Sequence, residues 1–142
     1  MKRALLLLLL AGCAARSPAP VEEAPREQAK EAPRETVAVA GLMESARADA
    51  AAGRLANAAA SLERALRLEP RNPRLWHELA RVRLRQGDFA QAESLAARSS
   101  TWAANDNTLR AENWRVIAQA REGMGDGRGA QAARDNAERT AR

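Results

Sequence analysis

A pattern of glycine, alanine and large apolar residues recurs along the chain at an interval of 34 residues, and it constrains the fold more than any other feature. The positions that share the pattern in the first two copies are Gly53, Leu55, Ala58 and Leu62, then Gly87, Phe89, Ala92 and Ala96. A third copy lies 38 residues beyond the second and is marked by Trp114, Ile117, Ala118, Gly125 and Ala130. An internal period of about 20 to 50 residues is typical of arrays in which each unit buries its apolar face against its neighbours.

The composition favours helices over strands. The sequence is 46% hydrophobic, mostly alanine and leucine, with three Trp, one Phe and no Tyr. Ala, Leu, Arg, Gln and Glu are strong helix formers, whereas the β-branched and aromatic residues that favour strands are scarce here. The sequence therefore predicts an all-α fold, and its small core side chains require the helices to approach closely.

Glycine and proline positions predict where the helices begin and end. Gly87 is expected to take a positive φ and to end one helix, and Asp88 is expected to cap the next. Pro73 suits the first turn of a helix, with Asn72 as the cap. The six predicted helices span about residues 37–52, 55–69, 73–86, 89–101, 108–124 and 128–140.

The copy that begins at Pro73 matches a known repeat well. Its marker residues are Trp76, Leu79, Ala80, Gly87, Asp88, Phe89 and Ala92, and the first copy closes on Glu69-Pro70. This 34-residue pattern resembles the tetratricopeptide repeat (TPR). The resemblance implies a short right-handed α-solenoid of about three helix-turn-helix repeats within residues 37–142, at about 39–72, 73–106 and 111–142. An unrelated helical bundle is the alternative fold.

The sequence departs from the family pattern in two places. Asp49, Arg83 and Arg121 stand where the family has an aromatic residue in the second half of the first helix. The second repeat lacks the closing proline and is four residues longer than the first.

The first 12 residues have the pattern of a signal peptide. Lys2 and Arg3 precede an apolar run that is too short for a permanent membrane span, which needs about 20 residues. The sequence Leu10-Ala11-Gly12-Cys13 follows, and it resembles the lipobox of bacterial lipoproteins. The resemblance implies cleavage before Cys13 and attachment of diacylglycerol and a fatty acyl chain such as palmitate, which together suffice for stable anchoring. The alternative is an ordinary secretory signal with a chance cysteine.

Residues 13–36 are expected to form the lipidated N-terminus and a linker. This segment carries the prolines and glutamates Pro18, Pro20, Pro25, Pro33, Glu22, Glu23, Glu27, Glu31 and Glu35. Its low hydrophobicity and scattered prolines predict a disordered tether. Because Ala14 rather than an aspartate follows Cys13, the lipoprotein resemblance favours the outer membrane, with the helical domain facing the periplasm.

The charge distribution argues against nucleic-acid binding. The formal net charge of the chain is +5, from 23 Lys and Arg against 18 Asp and Glu. Loss of Lys2 and Arg3 with the signal peptide leaves 21 basic against 18 acidic residues, a net charge of +3. Both signs alternate along the chain, which is typical of a solvated helical surface rather than a basic patch interleaved with aromatics.

The TPR resemblance implies that the first helix of each repeat lines a concave groove for a peptide or a partner helix. The positions that it places in the groove are Met43, Arg47, Arg74, His77, Arg81, Arg85, Glu112, Arg115, Gln119 and Glu122. The centre is basic, and arginine recognises carboxylates through its planar guanidinium. We therefore predict that the groove binds an acidic or C-terminal segment of an envelope protein. The alternative is that these arginines form only a solvated face.

The predicted function is that of a membrane-anchored adaptor or assembly factor in the bacterial cell envelope, with a protein or peptide partner in the periplasm or outer membrane. The alternative is a peptidoglycan-associated protein that binds the cell wall or regulates its synthesis, although the sequence has no cluster of aromatics suited to sugars. We expect no enzyme activity, cofactor, metal or small-molecule substrate. His77 is the only histidine and Cys13 the only cysteine, so a transition-metal site has few ligands available.

Overall fold

The computed structural model describes residues 37–142, which form six helices and contain no strand. The helices are α1 Val37–Ala51, α2 Leu55–Leu68, α3 Pro73–Arg85, α4 Phe89–Trp102, α5 Asn107–Gly123 and α6 Gly127–Ala141. Each boundary lies within one residue of its predicted position, so the helix prediction is confirmed. The predicted signal peptide, Cys13 and the linker lie outside the described residues.

The helices form three antiparallel pairs that stack in sequence. Each helix packs against the next one along the chain, and α3 also contacts α5, the first helix of the following pair. The first helices of the pairs, α1, α3 and α5, thus lie on one side of the stack, and α2, α4 and α6 lie on the other. This is the α-solenoid that the repeat predicts. None of the helices in residues 37–142 has the length and hydrophobicity to cross a membrane.

The same glycine turn joins the two helices of every pair. Gly53, Gly87 and Gly125 have φ values of 76°, 80° and 81°. In the second pair the amide of Asp88 donates to the carbonyl oxygen of Arg83 at 3.0 Å, which closes the first helix with the hydrogen bond of a Schellman motif. The positive φ predicted for Gly87 is confirmed, and it is the reason for a glycine at this position in all three copies.

The capping predictions had different outcomes. The side chain of Asn72 accepts a hydrogen bond from the amide of Arg74 at 3.0 Å, so the predicted cap of α3 is confirmed. Asp88 occupies the N-cap position of α4 but makes no capping hydrogen bond with its side chain. Its carboxylate instead lies 3.7 Å from Nη1 of Arg83, so the predicted role of Asp88 is wrong.

Alanine provides much of the contact surface between helices. Ala80, Ala92 and Ala96 have no exposed surface, and they pack with Ile117 in the core between the second and third pairs. A second core cluster lies between the first and second pairs. It contains Leu62 and other apolar side chains, several of which are larger than alanine. Because alanine has no side chain beyond Cβ, two helix backbones approach closely where alanines lie on both of the facing helix surfaces.

Two of the three charged residues at the family's aromatic position join neighbouring pairs. Arg83 on α3 donates to Glu63 on α2 at 2.7 Å. Arg121 on α5 donates from Nε and Nη2 to Glu93 on α4, at 2.9 and 2.7 Å. The hydrogen bond with Glu93 raises the pKa of Arg121 above its ordinary value, although burial acts in the opposite direction. Ion pairs therefore replace aromatic packing between repeats.

Candidate peptide-binding groove

The groove face of α3 follows from helical spacing. Arg74, His77, Arg81 and Arg85 are separated by three or four residues, so they share one face of the helix. That face looks across the concave side of the stack toward α1 and α5. Two adjacent cavities occupy this side, and both are lined by Arg81 and Arg85.

The first cavity, here termed the α1–α3 cavity, has a volume of about 280 Å³. It is lined by Met43, Ala46, Arg47, Ala50, Ala51, Leu62, Glu78, Arg81, Val82 and Arg85. Its deepest side chains are Met43, Leu62 and Val82, which are all 5% exposed or less. The cavity thus has an apolar floor and a charged rim.

The second cavity, here termed the α3–α5 cavity, has a volume of about 490 Å³. It is lined by His77, Arg81, Leu84, Arg85, Glu112, Arg115, Val116 and Gln119. Most of these side chains are polar or charged.

The structure brings together six of the seven groove residues that the sequence predicts to form the binding site. Arg47, Arg81, Arg85, His77, Arg115 and Gln119 line one or both cavities. Arg74 does not line either cavity. It lies in the first turn of α3 with a side chain that is 72% exposed, and its Nη2 is 3.9 Å from the carboxylate of Asp106.

Of the three other positions that the resemblance places in the groove, two line the cavities and one does not. Met43 and Glu112 line the cavities. Glu122 lies outside both cavity linings, and its carboxylate accepts a hydrogen bond from Arg134 on α6 at 2.8 Å.

The arginines of the groove have weaker acidic partners within the fold than the arginines that join the repeats, or none at all. Arg81 makes only a long contact with Glu78, at 3.4 Å, and Arg47 lies 3.9 Å from Glu44. Arg85 and Arg115 are exposed and form no hydrogen bond or ion pair within residues 37–142. Since a guanidinium carries five N–H donors, these side chains can bind carboxylates of a ligand.

His77 is held in the wall of the groove by a chain of buried hydrogen bonds. Its Nδ1 lies 2.8 Å from Oδ1 of Asn113. Nδ2 of Asn113 donates to Oγ of Ser99 at 2.8 Å, and Ser99 donates to the carbonyl oxygen of Pro73 at 2.8 Å. The carbonyl can only accept, which fixes the direction of every bond in the chain and places a proton on Nδ1 of His77.

This buried chain, termed the His77 network, couples α3, α4 and α5. His77 is 7% exposed, whereas Asn113 and Ser99 are fully buried. Nε2 of His77 points toward Glu112 at a distance of 3.8 Å. The network fixes the relative positions of the helices that bound the α3–α5 cavity.

Sequence reasoning missed Asn113 and Ser99. Both occupy positions where the helical period predicts apolar residues, since Ser99 follows Ala92 and Ala96 on one face. A polar side chain on an otherwise apolar face is the available signal, because buried polar groups need hydrogen-bond partners. Within residues 37–142 no three His, Cys, Asp or Glu side chains are grouped so as to hold a metal ion.

Two of the tryptophans each lie beside an arginine. The guanidinium of Arg98 lies over the ring of Trp76, 4.5 Å from its centre, and Nε1 of Trp76 donates to the carbonyl oxygen of Pro70. Trp102 is 38% exposed, and Arg71 lies 5.3 Å from its ring centre.

Comparison with known proteins agrees with this architecture. The family model of the tetratricopeptide repeat matches residues 49–111. The chain belongs to the tetratricopeptide repeat family. Among solved structures, the globular C-terminal domain of P. aeruginosa LpoP is similar to it, with 46% sequence identity and a TM-score of 0.71. The match covers 72% of this chain and 97% of the LpoP chain. No curated protein sequence matches the chain.

Proposed function

We propose that this protein is a lipid-anchored adaptor of the bacterial cell envelope, and that its groove binds an acidic segment of another envelope protein. The observation that carries the proposal is the convergence of Arg81, Arg85 and Arg115 on two adjoining cavities. Arg85 and Arg115 have no acidic partner in the described part of the chain, residues 37–142. Carboxylates of a partner would complete the hydrogen bonding of these side chains.

The anchor in this proposal rests on Leu10-Ala11-Gly12-Cys13 and the apolar run before it. Ala14 supports an outer-membrane location, with residues 37–142 in the periplasm at the end of a tether. The similarity to LpoP is consistent with this arrangement, because the matched part of LpoP is also a C-terminal domain. The role proposed for the groove is binding rather than catalysis.

Direct binding to peptidoglycan is the second candidate function. Stacking on sugars needs open aromatic faces, but Arg98 covers the ring of Trp76, and Arg71 lies over the ring of the exposed Trp102. The structure thus offers less for glycan binding than for carboxylate binding. Sedimentation of the protein with purified sacculi separates the two candidates, because an adaptor that binds only proteins remains in the supernatant.

Photo-crosslinking in cells tests the groove. A photoreactive amino acid replaces Gln119, which is exposed and lines the α3–α5 cavity. We expect crosslinks to an envelope protein through a segment with net negative charge, mapped by mass spectrometry. The double substitution Arg81→Glu/Arg115→Glu should abolish these crosslinks because it replaces attraction by repulsion.

The matched control is Arg64→Glu/Arg110→Glu. It changes the net charge by the same amount at two exposed arginines that line neither cavity. Crosslinking should persist in this variant. Undiminished crosslinking in Arg81→Glu/Arg115→Glu would place the partner on another surface and overturn the proposal.

A further inference from the structure

We infer that one end of the helical stack docks on a membrane surface that contains anionic phospholipids. Arginines at this end bind the lipid phosphates, and exposed apolar side chains enter the interface beside them. The inference rests on the lipid anchor of the proposed function and goes beyond it, because it concerns a surface outside the groove.

The surface lies at the end of the stack where the described chain begins, here termed the tether end. α1 starts there at Val37, and α2 and α4 end there because the helices of each pair are antiparallel. The connections at the tether end are residues 69–72 and 103–106, whereas the three glycine turns lie at the opposite end. A lipid anchor at Cys13 therefore connects to the domain at the tether end.

Large apolar side chains are exposed mainly at the tether end. Residues 37–142 expose four of them, and Val37, Leu68 and Trp102 lie at this end, with exposed fractions of 92%, 55% and 38%. Met124, the fourth, lies at the opposite end. Leucine and tryptophan are typical of surfaces that insert into the boundary between lipid headgroups and acyl chains.

Two arginines at the tether end are stacked on tryptophans. The guanidinium of Arg71 lies 5.3 Å from the ring centre of Trp102, and that of Arg98 lies 4.5 Å from the ring centre of Trp76. Neither arginine forms a hydrogen bond or an ion pair within residues 37–142. Stacking engages the face of a guanidinium and leaves the N–H groups in its plane able to donate. Phosphate oxygens accept such hydrogen bonds in pairs.

The acidic side chains of the two connections already have partners within the fold. Glu69 accepts a hydrogen bond from Nδ2 of Asn72 at 2.8 Å, and Asp106 accepts one from an amide in the first turn of α5 at 2.9 Å. Arg67 and Arg74 are exposed and add two positive charges to this end. An anionic membrane surface is complementary to the resulting excess, and each arginine near such a surface strengthens binding about fivefold.

The anchor favours a membrane over a soluble protein as the occupant of this surface. A tether of residues 13–36 keeps the tether end close to the lipid, so the effective concentration of the membrane is high and a few side chains suffice for docking. Docking also leaves the groove open. Arg81 and Arg85 lie in the second half of α3, nearer to the glycine turn than to the tether end.

Photo-crosslinking to lipid tests this inference. A photoreactive amino acid replaces Thr101, which is exposed at the tether end, or Ala52, which is exposed at the opposite end. The protein is the full chain purified from membranes, in nanodiscs of phosphatidylcholine alone or mixed in equal parts with phosphatidylglycerol. We expect phospholipid adducts at position 101 that increase at least about fivefold with phosphatidylglycerol, and few adducts at position 52 in either bilayer.

Charge substitutions at the tether end identify the arginines that bind lipid. Arg71→Gln/Arg98→Gln should reduce the adducts with phosphatidylglycerol to the level in phosphatidylcholine alone, because two arginines together contribute about 25-fold. Arg71→Lys/Arg98→Lys keeps both charges and should retain most of the adducts, which a purely structural role of the stacked guanidinium does not predict. The matched control, Arg54→Gln/Arg128→Gln, removes two exposed arginines at the opposite end and should change nothing.

The apolar contribution is tested by Trp102→Ala. This substitution should lower the yield of adducts at position 101 in both bilayers, because it removes the largest exposed apolar side chain of the tether end. Met124→Ala is the control, since Met124 is 46% exposed at the opposite end. Circular dichroism verifies that each variant keeps its helices.

Three outcomes overturn the inference. They are equal yields at positions 101 and 52, a yield at position 101 that responds neither to phosphatidylglycerol nor to Arg71→Gln/Arg98→Gln, and crosslinks from position 101 in cells to a protein instead of phospholipid. None of them affects the crosslinks from Gln119, which test the groove. Failure of the anchor is detected separately, as an unacylated Cys13 in the mass of the purified chain. The chain is then added to vesicles of the same two compositions, where the same yields decide.

Discussion

Removal of Asn113 from the His77 network should destabilise the domain far more than its small side chain suggests. Asn113 is fully buried, and it bonds to both His77 and Ser99 at 2.8 Å. The substitution Asn113→Leu keeps the approximate volume but removes both hydrogen bonds. Each contributes about 1 kcal/mol, and the stranded N–H of His77 adds a further penalty of about 1 to 3 kcal/mol. Part of this is offset by burial of the leucine, so we expect a loss of about 2 to 4 kcal/mol in the free energy of unfolding.

Urea and thermal unfolding, followed by circular dichroism at the helical band, measure this loss. For a domain of about 100 residues, each 1 kcal/mol lowers the Tm by about 4 to 8 °C, so a decrease of at least about 8 °C is expected. The double variant His77→Phe/Asn113→Leu removes the stranded donor as well. It should be more stable than Asn113→Leu alone, with a coupling energy of about 1 to 2 kcal/mol. A loss below about 0.5 kcal/mol for Asn113→Leu, without coupling to His77, would refute the assignment of these hydrogen bonds.

The remaining predictions concern the turns and the anchor. Gly87→Ala should lower the free energy of unfolding by about 1 to 2 kcal/mol because φ is 80° there. Gly41→Ala is the matched substitution within α1, where nothing lies near the added methyl group, and it should stabilise by about 0.5 to 1 kcal/mol; equal effects in the two unfolding curves would contradict the account of the turn. Cys13→Ala should leave the chain uncleaved and unlabelled when cells are grown with a palmitate analogue. Labelling as strong as that of the unsubstituted chain would argue against the lipid anchor.

The helices and their boundaries were predictable because their signals are local. Gly87 and Pro73 act on their own backbone dihedral angles, and the helical period of apolar residues is visible in any stretch of the chain. The failure at Asp88 has a physical reason. Its carboxylate had two possible partners, the amides of α4 and the guanidinium of Arg83, and only the folded turn places that guanidinium 3.7 Å away.

The groove was predictable in outline and not in detail. Repeat resemblance placed Arg81, Arg85 and Arg115 on one side of the stack, and the structure agrees. It also placed Arg74 there, although the first turn of α3 brings that residue beside Asp106 instead. Whether an arginine at a helix surface is free depends on acidic residues that are distant in the sequence, so spacing within one helix does not decide it.

By itself, the sequence of this protein determined the all-α repeat architecture, the glycine turns and the candidate anchor at Cys13, which all depend on short-range pattern. Only the tertiary structure decided which charged side chains form ion pairs or hydrogen bonds within the fold and which remain available to bind a ligand. Arg121 finds Glu93 across 28 positions of sequence, and His77 finds Asn113 across 36. It also decided that α1 and α3 leave a cavity beside the basic centre, because the size of such a gap depends on how several helices pack together.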